Sequence, residues 1–321
     1  MLDDLPLVSI LINNYNYGRF LKEAIASVLG QTYSNIEVIV VDDGSTDSSR
    51  TIITDYGDRL IPILKENGGQ ASAFNAGFAA SQGEIICFLD SDDIFLPEKV
   101  ETVVEIFRSF PGTGWCFHPL TLINEKAEAL TKSNYQGSSS EFEQLTNRNQ
   151  TDLSFERDFR ADIQQGRLKH KFPFRTATSG MCFRRSLLQS ILPVPESIKI
   201  TSDRYLQTTA LGSSKGFTLG KELALQRIHG NNAYTLREED KLRLAAKISV
   251  LTAYWVKHKH PSLYRFTNQE FGMGIGLYWC AGGIETEYQE LAGKYLSSVT
   301  LLERFIINFK ALYYYLKWKQ W

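Results

Sequence analysis

No sign of charge dominates this chain. Its 35 lysines and arginines stand against 36 aspartates and glutamates, a formal net charge of -1, so no whole-protein field exists to gather nucleic acid or an anionic membrane, and any attraction to polyanions must be local. No stretch of about 18 uncharged apolar residues occurs, which argues against a bilayer-spanning helix. The acidic opening, MLDDLPLVSIL, lacks the basic segment and small-residue cleavage site of a signal peptide. Cysteine is scarce and unpaired in sequence. Cys87, Cys116, Cys182 and Cys280 lie far apart without a CxxC, and two sit in apolar runs where Cys acts as a small hydrophobe, which fits a reducing compartment. No internal repeat is visible. Against these absences, 43% of the 321 residues are hydrophobic, ample for one large domain with an extension or for two modest ones.

Strand-like and helix-like patterns alternate through the first third. Residues 7–12, LVSILI, form a short apolar run. NNYNYG over 13–18 is a turn-rich break, after which Phe20, Leu21, Ile25, Val28 and Leu29 recur at helical spacing. Further runs at 36–41, 60–64 and 84–89 read as strands, with helices reaching about residue 56 and spanning 71–80 between them. Such alternation predicts parallel βαβ units in an α/β doubly wound sheet. Ligands of such sheets sit beyond the carboxyl ends of the strands, so 13–16, 42–43, 67–70 and 90–93 are expected to face one crevice. After a helix starting near Pro97 the regularity fades. SNYQGSSSE, 133–141, reads as a polar loop, and about 115–236 mixes short strands with helices. From Arg237 onward the pattern is helical, with Leu244, Ile248, Leu251 and Trp255 spaced four, three and four apart.

The densest chemistry is FLDSDD, 88–93. Like charges so close repel and raise one another's pKa, so the crowding calls for a function. Asp90 and Asp92 are two apart, and in extended backbone both side chains can reach one ion; oxygen ligands select Mg²⁺ or Mn²⁺, with substrate phosphates and water completing the shell. The plainer alternative is that Asp92 or Asp93 caps the helix after Pro97. A haloacid-dehalogenase-like nucleophile motif also has Asp-x-Asp, but on its first strand and with Thr or Val where this chain has Ile94.

Taken together, VSILINNYN, SVLGQTY, IEVIVVDDGSTD, ENGGQASAFNAGFAASQGEIICFLDSDD and SGMCFRRS resemble a family 2 glycosyltransferase of GT-A fold, over about residues 5–235. The resemblance implies a Rossmann-like, mainly parallel sheet with flanking helices and a C-terminal helical extension. The corresponding domain expectation is a nucleotide-sugar half at 1–115, an acceptor half at 116–236 and helices at 237–321. It further implies that Asp90 and Asp92 hold a divalent cation, Mg²⁺ or Mn²⁺, against a nucleotide diphosphate, with Asp92 the direct ligand, Asp90 nearer the ribose and Ser91 between them. Asp43 matches the acid that recognises the base, Tyr15 and Asn13 lie where the base stacks and is contacted, and Asn67, Gly69 and Gln70 match the loop that closes on the nucleotide. Each has a structural alternative: Asp43 to Asp47, DGSTD, makes a turn and helix start in any protein, and Tyr15 can simply pack. Phe74 stands where the family often has an arginine before the counterpart of Asn75.

Transfer with inversion needs a general base. In KITSDRYL, 199–206, Asp203 falls where the family's aspartate belongs, although Ser202 replaces the commoner preceding acid. The alternative is a helix start, with Thr201 capping and Asp203 favouring the positive first turn. Asp152, Glu156, Asp158 and Asp162 are rival bases. LQRIHGN, 225–231, resembles the run after the base, so His229 is a candidate for contact with cation or diphosphate, or a structural histidine. Gly180, in TSG, is expected at a turn close to the sugar.

Two surfaces are candidates for choosing the acceptor. RLKHKFPFR, 167–175, interleaves cations with Phe172 and Phe174 and reads first as a solvated edge. Near the end, Leu302, Phe305, Ile306, Phe309, Leu312, Tyr313 and Leu316 share one helical face, with Arg304, Lys310, Lys317 and Lys319 mostly elsewhere. That face suits a membrane interface, the catalytic domain or a second subunit.

The expectation is thus an inverting, metal-dependent glycosyltransferase. Its donor is a nucleotide diphosphate-sugar, a UDP-sugar first among them, and its acceptor a hydroxyl of a saccharide or lipid-linked saccharide. Cytoplasmic placement is expected, peripheral at a membrane or homodimeric through the last helix, with no nucleic-acid partner. A non-catalytic relative that binds nucleotide sugar, or a phosphatase or nucleotidyltransferase on the same cation site, is the alternative.

Overall fold

The computed structural model describes residues 5–133, 135, 154–167, 176–230, 232 and 238–319. Asp152, most of 133–141 and all of 167–175 except Arg167 lie outside the described residues. The four apolar runs of the first third are strands β1 (Val8–Asn14), β2 (Ile36–Asp43), β3 (Ile61–Lys65) and β4 (Ile85–Asp90). They pair in parallel in the order β3-β2-β1-β4.

Helices α1 (Gly18–Leu29), α2 (Ser49–Asp55) and α3 (Gln70–Ala80) connect these strands. β1 is buried along its whole length because helices cover both faces, which is why it reads as an unbroken apolar run rather than an alternating one. Val8, Ile10 and Ile12 share a core with Leu21, Ala24, Ile25 and Val28 of α1. Leu11, on the other face, abuts Gly77 of α3, where an added Cβ would lie 3.4 Å from its side chain.

Beyond β4 the strands shorten to β5 (Ile94–Phe95), β6 (Trp115–Phe117), β7 (Thr121–Ile123), β8 (Phe155–Arg157), β9 (Met181–Arg184), β10 (Gly216–Thr218) and β11 (Ala224–Arg227). The main sheet continues β4-β9-β6-β10-β8, with β9 antiparallel to both its neighbours, and β5-β11-β7 forms a small second sheet. Helices α4 (Lys99–Ser109), α5 (Arg160–Gln164), α6 (Arg185–Ile191) and α7 (Asp203–Ser213) are interspersed. Four more follow: α8 (Glu238–Lys259), α9 (Tyr264–Cys280), α10 (Thr286–Ser297) and α11 (Leu301–Lys319). None is long and apolar enough to cross a membrane among the described residues.

The chain falls into two compact units, Met1–Asp158 with Lys171–Lys199 and Ser213–His229, and Phe159–His170 with Ile200–Gly212 and Gly230–Trp321. The first holds both sheets. The second is helical, with Ala246, Val250, Phe271, Tyr278, Tyr295 and Ile307 in its core and Phe271 stacked on Tyr295 at 3.9 Å between centroids. The buried stripe of α8 includes Ala246, Val250, Leu251 and Ala253; of the four residues that spacing suggested, Leu251 is buried while Leu244, Ile248 and Trp255 are half-buried. The reason is local: Gly274 of α9 sits under Val250, where a Cβ would come within 2.7 Å, and only small residues permit that approach.

Candidate active site

Parallel pairing brings the polar strand ends together. Asn13 pairs with Asp90, Asn14 with Asp42 and Asp43 with Lys65, so the 13–16, 42–43, 67–70 and 90–93 segments all leave the sheet at one end.

At the β2 end every carboxylate is occupied. Asp42 accepts from Asn14 Nδ2 at 3.0 Å, Ser45 N at 3.0 Å and Arg50 Nε at 2.9 Å. Burial opposes its ionisation, but bonds from Ser45, Arg50 and Asn14 outweigh that and hold its pKa below the usual carboxylate value. Asp43 Oδ1 accepts from Lys65 Nζ at 2.6 Å and Gly68 N at 3.0 Å, its Oδ2 accepts from Gly69 N at 2.7 Å, and its carbonyl accepts from Asn67 Nδ2 at 2.9 Å. Asp43 therefore shapes the 66–69 loop. Gly69 has φ 86°, and its N-terminal position on α3 is crowded by Lys199, 2.8 Å from an added Cβ; Gln70 N then donates to the Lys199 carbonyl at 2.8 Å. Asp47 accepts from Gly18 N and Ser49 N, both at 2.9 Å, joining the starts of α1 and α2 as its turn reading anticipated. Tyr15 is 49% exposed, so its side chain is not committed to the core.

The β4 end is built differently. Asp93 does not cap α4: it is buried, accepts from Ser179 Oγ at 2.6 Å and from Arg227 N at 2.9 Å. Burial first, then Asp92 and Asp90, push its pKa well above the usual range. Ser179 Oγ also accepts from Asp90 N at 3.0 Å, and its carbonyl accepts from the fully buried Lys99 ammonium. Lys99 lies 3.5 Å from the Phe95 ring centroid, and burial lowers its pKa. The loop is thus tied through Ser179 to a buried cation.

From the small sheet, Arg227 grips the loop by donating from Nε to the Asp92 carbonyl at 2.9 Å, while Nη1 donates to the Glu125 carbonyl at 2.7 Å. Two residues on, His229 is buried and its Nε2 lies 3.0 Å from Asp92 Oδ2. With Arg19 Nη2 3.4 Å from Nδ1, the proton is assigned to Nε2, which donates to Asp92. Tyr17 packs edge-on to His229 at 5.2 Å. Its pKa is pushed up to about 12, by burial first and then by Asp92 and Asp90.

Asn13 and Ser91 carry the clearest sign of an absent partner. Both are buried, and Asn13 Oδ1, Asn13 Nδ2 and Ser91 Oγ have no hydrogen-bond partner among the described residues. Buried polar atoms are normally satisfied. Here the neighbouring strand ends share one tie, Ser91 N to the Asn13 carbonyl at 3.1 Å, and both orphans sit beside the acidic loop.

The donor set fits a divalent cation. Asp90 and Asp92 offer hard oxygen donors two residues apart, and His229 Nε2, donating to Asp92 at 3.0 Å, orients one of them. Among the described residues no group of three or more His, Cys, Asp or Glu forms a ready-made cage, which leaves most of the shell to substrate oxygens and water, as Mg²⁺ prefers.

Other expected site residues have different surroundings. Gly180 faces its own chain, not open space: an added Cβ would lie 2.5 Å from the His118 carbonyl and closer still to Thr176 Oγ1, so packing alone requires glycine there. Asn67 and Gly69 are held by Asp43, and Gln70 Nε2 lies 3.5 Å from Thr178 Oγ1. Asn75 makes two 2.8 Å bonds to the backbone of Val194, and Phe74 packs on Phe88 at 4.8 Å. Asp203 belongs to the second unit, as the first residue of α7, where its Oδ1 accepts from Arg204 N at 2.9 Å. Thr201 is not a side-chain cap there, since its hydroxyl donates to the Ile200 carbonyl. Among the rival bases, Glu156 pairs with Lys215 at 2.7 Å and Asp162 lies 3.9 Å from Arg167.

The profile of glycosyl transferase family 2 matches residues 9–190, more than half of the chain and all of the strand ends just described. The chain belongs to that family. A relative, an uncharacterised glycosyltransferase of Nostoc sp. (strain PCC 7120), is 36% identical over 258 residues, 77% of this chain and 74% of its own length. An uncharacterised glycosyltransferase of Rickettsia prowazekii is 41% identical over 128 residues, 39% of this chain and 40% of the relative. Among solved structures, S. aureus TarS 1-349 in complex with UDP-GlcNAc superposes with TM-score 0.62 at 16% identity, over 97% of this chain and 89% of that one. At that identity the likeness speaks for the GT-A fold alone. This family 2 glycosyltransferase therefore has the expected α/β fold with a C-terminal helical region.

Proposed function

We propose that this glycosyltransferase binds a nucleotide diphosphate-sugar, a UDP-sugar foremost, at the ends of β1, β2 and β4, and transfers the sugar with inversion to a hydroxyl of a saccharide or lipid-linked saccharide. The observation that carries the reading is the pair of buried, unpartnered side chains Asn13 and Ser91 beside Asp90 and Asp92: the fold leaves polar groups unsatisfied at the point where a polar ligand would satisfy them. Structural neighbours whose complexes hold UDP, UDP-GlcNAc or GDP-Man with Mn²⁺ support the same class of donor.

In this reading Asp92 and Asp90 hold Mg²⁺ or Mn²⁺, which supplies charge neutralisation for the departing diphosphate, and His229 orients Asp92 by donating to it. Tyr15 offers its exposed face to the base, while Asp43 holds Asn67, Gly68 and Gly69 in the shape that receives the nucleotide. Tyr17 stays protonated through the physiological range and can donate a hydrogen bond. Asp203 takes the acceptor proton as general base. Cytoplasmic nucleotide-sugar pools would supply the donor.

A donor screen tests this. Purified protein is incubated with UDP-, GDP- and dTDP-sugars, with and without Mn²⁺, and donor turnover is followed. Turnover of one nucleotide class, dependent on the ion and lost in Asp203→Asn, is expected; equal inertness toward all three classes, with no nucleotide binding, contradicts the reading.

A further inference from the structure

The apolar face of α11 is not the face that packs. Ile307 and Ala311 are buried, and their carbonyls would lie 2.7 and 2.4 Å from a Cβ added at Gly272 and Gly276. Two glycines one turn apart on α9 thus let α11 lie backbone against backbone, along its narrow side. At about 100° per residue the opposite arc carries Leu302, Phe305, Ile306, Phe309, Leu312 and Leu316. These are exposed, Leu302 to 71%, Phe305 to 69% and Phe309 to 63%.

Charge decides what covers it. On the same wheel Lys310 and Lys317 flank one border of the apolar arc and Lys319 the other, while Arg304 lies toward the packed side and donates from Nη2 to the Leu296 carbonyl at 2.7 Å. The acid of this helix, Glu303, is engaged on its own chain, accepting from Thr300 N at 2.8 Å and Asn268 Nδ2 at 3.2 Å. A second copy docking the same face would be isologous and would set cationic borders against cationic borders. An anionic lipid surface meets both features: acyl chains for the aromatic and aliphatic arc, phosphates for the cations on either side.

We propose that α11 lies flat in the interfacial layer of a bilayer bearing anionic lipid, its Phe305–Phe309 arc inward and its lysines at phosphate level. The site is independent of the nucleotide site and does not rest on its reading. Because the chain as a whole carries almost no net charge, the attraction is local to this helix.

Flotation of the full chain with phosphatidylglycerol–phosphatidylcholine vesicles, against phosphatidylcholine alone, tests the proposal. The wild type is expected to float with the anionic vesicles. Lys310→Gln with Lys317→Gln is expected to weaken partitioning roughly tenfold or more, and Phe305→Ser with Phe309→Ser to abolish it. Circular dichroism and melting of both variants should match wild type, since these side chains are exposed. Failure of the wild type to float, unaltered flotation of the phenylalanine variant, or a concentration-dependent dimer that the phenylalanine variant dissociates would each overturn it.

Discussion

The ends of β2 and β4 are both acidic, yet they are finished in opposite ways. At β2, Asp42, Asp43 and Asp47 each accept two or more hydrogen bonds from backbone, lysine, arginine or asparagine donors, so these carboxylates are structural parts of loops and helix starts. At β4, the loop backbone is held by Ser179, itself bonded to Lys99, and by Arg227, while the side-chain polar atoms of Asn13 and Ser91 have no hydrogen-bond partner among the described residues. The carboxylates of the first end build loops and helix starts; at the second, Asp93 is likewise engaged by Ser179 and Arg227 and Asp92 by His229, and it is Asn13 and Ser91 beside them that keep unsatisfied polar atoms among the described residues. Identical residue types therefore carry different roles, and the hydrogen-bond inventory separates them where composition does not.

That contrast can be broken experimentally, beginning with the largest effect. Asp203→Asn should lower transfer by about a hundredfold or more, the usual worth of a general base, while leaving UDP affinity unchanged in titration calorimetry; equal loss of binding would deny it a separate role. Asp43→Ala strands the Gly68 and Gly69 N–H groups and Lys65, so denaturant unfolding should show a loss of roughly 2–4 kcal/mol. Stability, and not merely nucleotide affinity, is the readout that distinguishes a loop builder from a ligand contact.

Lys99→Met is nearly isosteric and removes the ammonium under the acidic loop. It should cost about 1–3 kcal/mol and, by releasing the Ser179 backbone, loosen the hydrogen bonds that hold Asp90 N and Asp93 in place and so weaken the ion's enhancement of UDP binding. Unchanged binding with lowered stability would make Lys99 a core residue only.

The smallest effect belongs to Arg50→Ala. The Asp42 pKa is depressed in the fold, so its contribution is present above the unfolded carboxylate value and is lost as pH falls through the folded one. Removing Arg50 should move acid unfolding to higher pH, with less than about 1 kcal/mol lost at neutrality because Arg50 is half exposed.

Much of the first unit is legible in the sequence. The strands of the first third and their helices follow from apolar runs and helical spacing, and parallel topology alone brings Asn13, Asp43 and Asp90 to one end. The braces are not legible, since Lys99 meets Ser179 across 80 residues and Arg227 meets Asp93 across 134, and no local pattern records such contacts. Lys99 reads as an ordinary helix-start lysine, although a cation placed soon after three carboxylates was a usable signal. In the second unit, helical periodicity located α8 and α11 but did not single out the packed faces, because Gly272, Gly274 and Gly276 select the contact by permitting close approach, a property a hydrophobic pattern does not contain.

Calorimetric titration of UDP into wild type and Asp92→Asn, each with and without Mn²⁺, tests the central claim most directly. The account predicts that Mn²⁺ tightens UDP binding to the wild type and that Asp92→Asn removes this enhancement while retaining the fold. An affinity for UDP that is the same with and without the ion, or an enhancement that survives in Asp92→Asn, would contradict it.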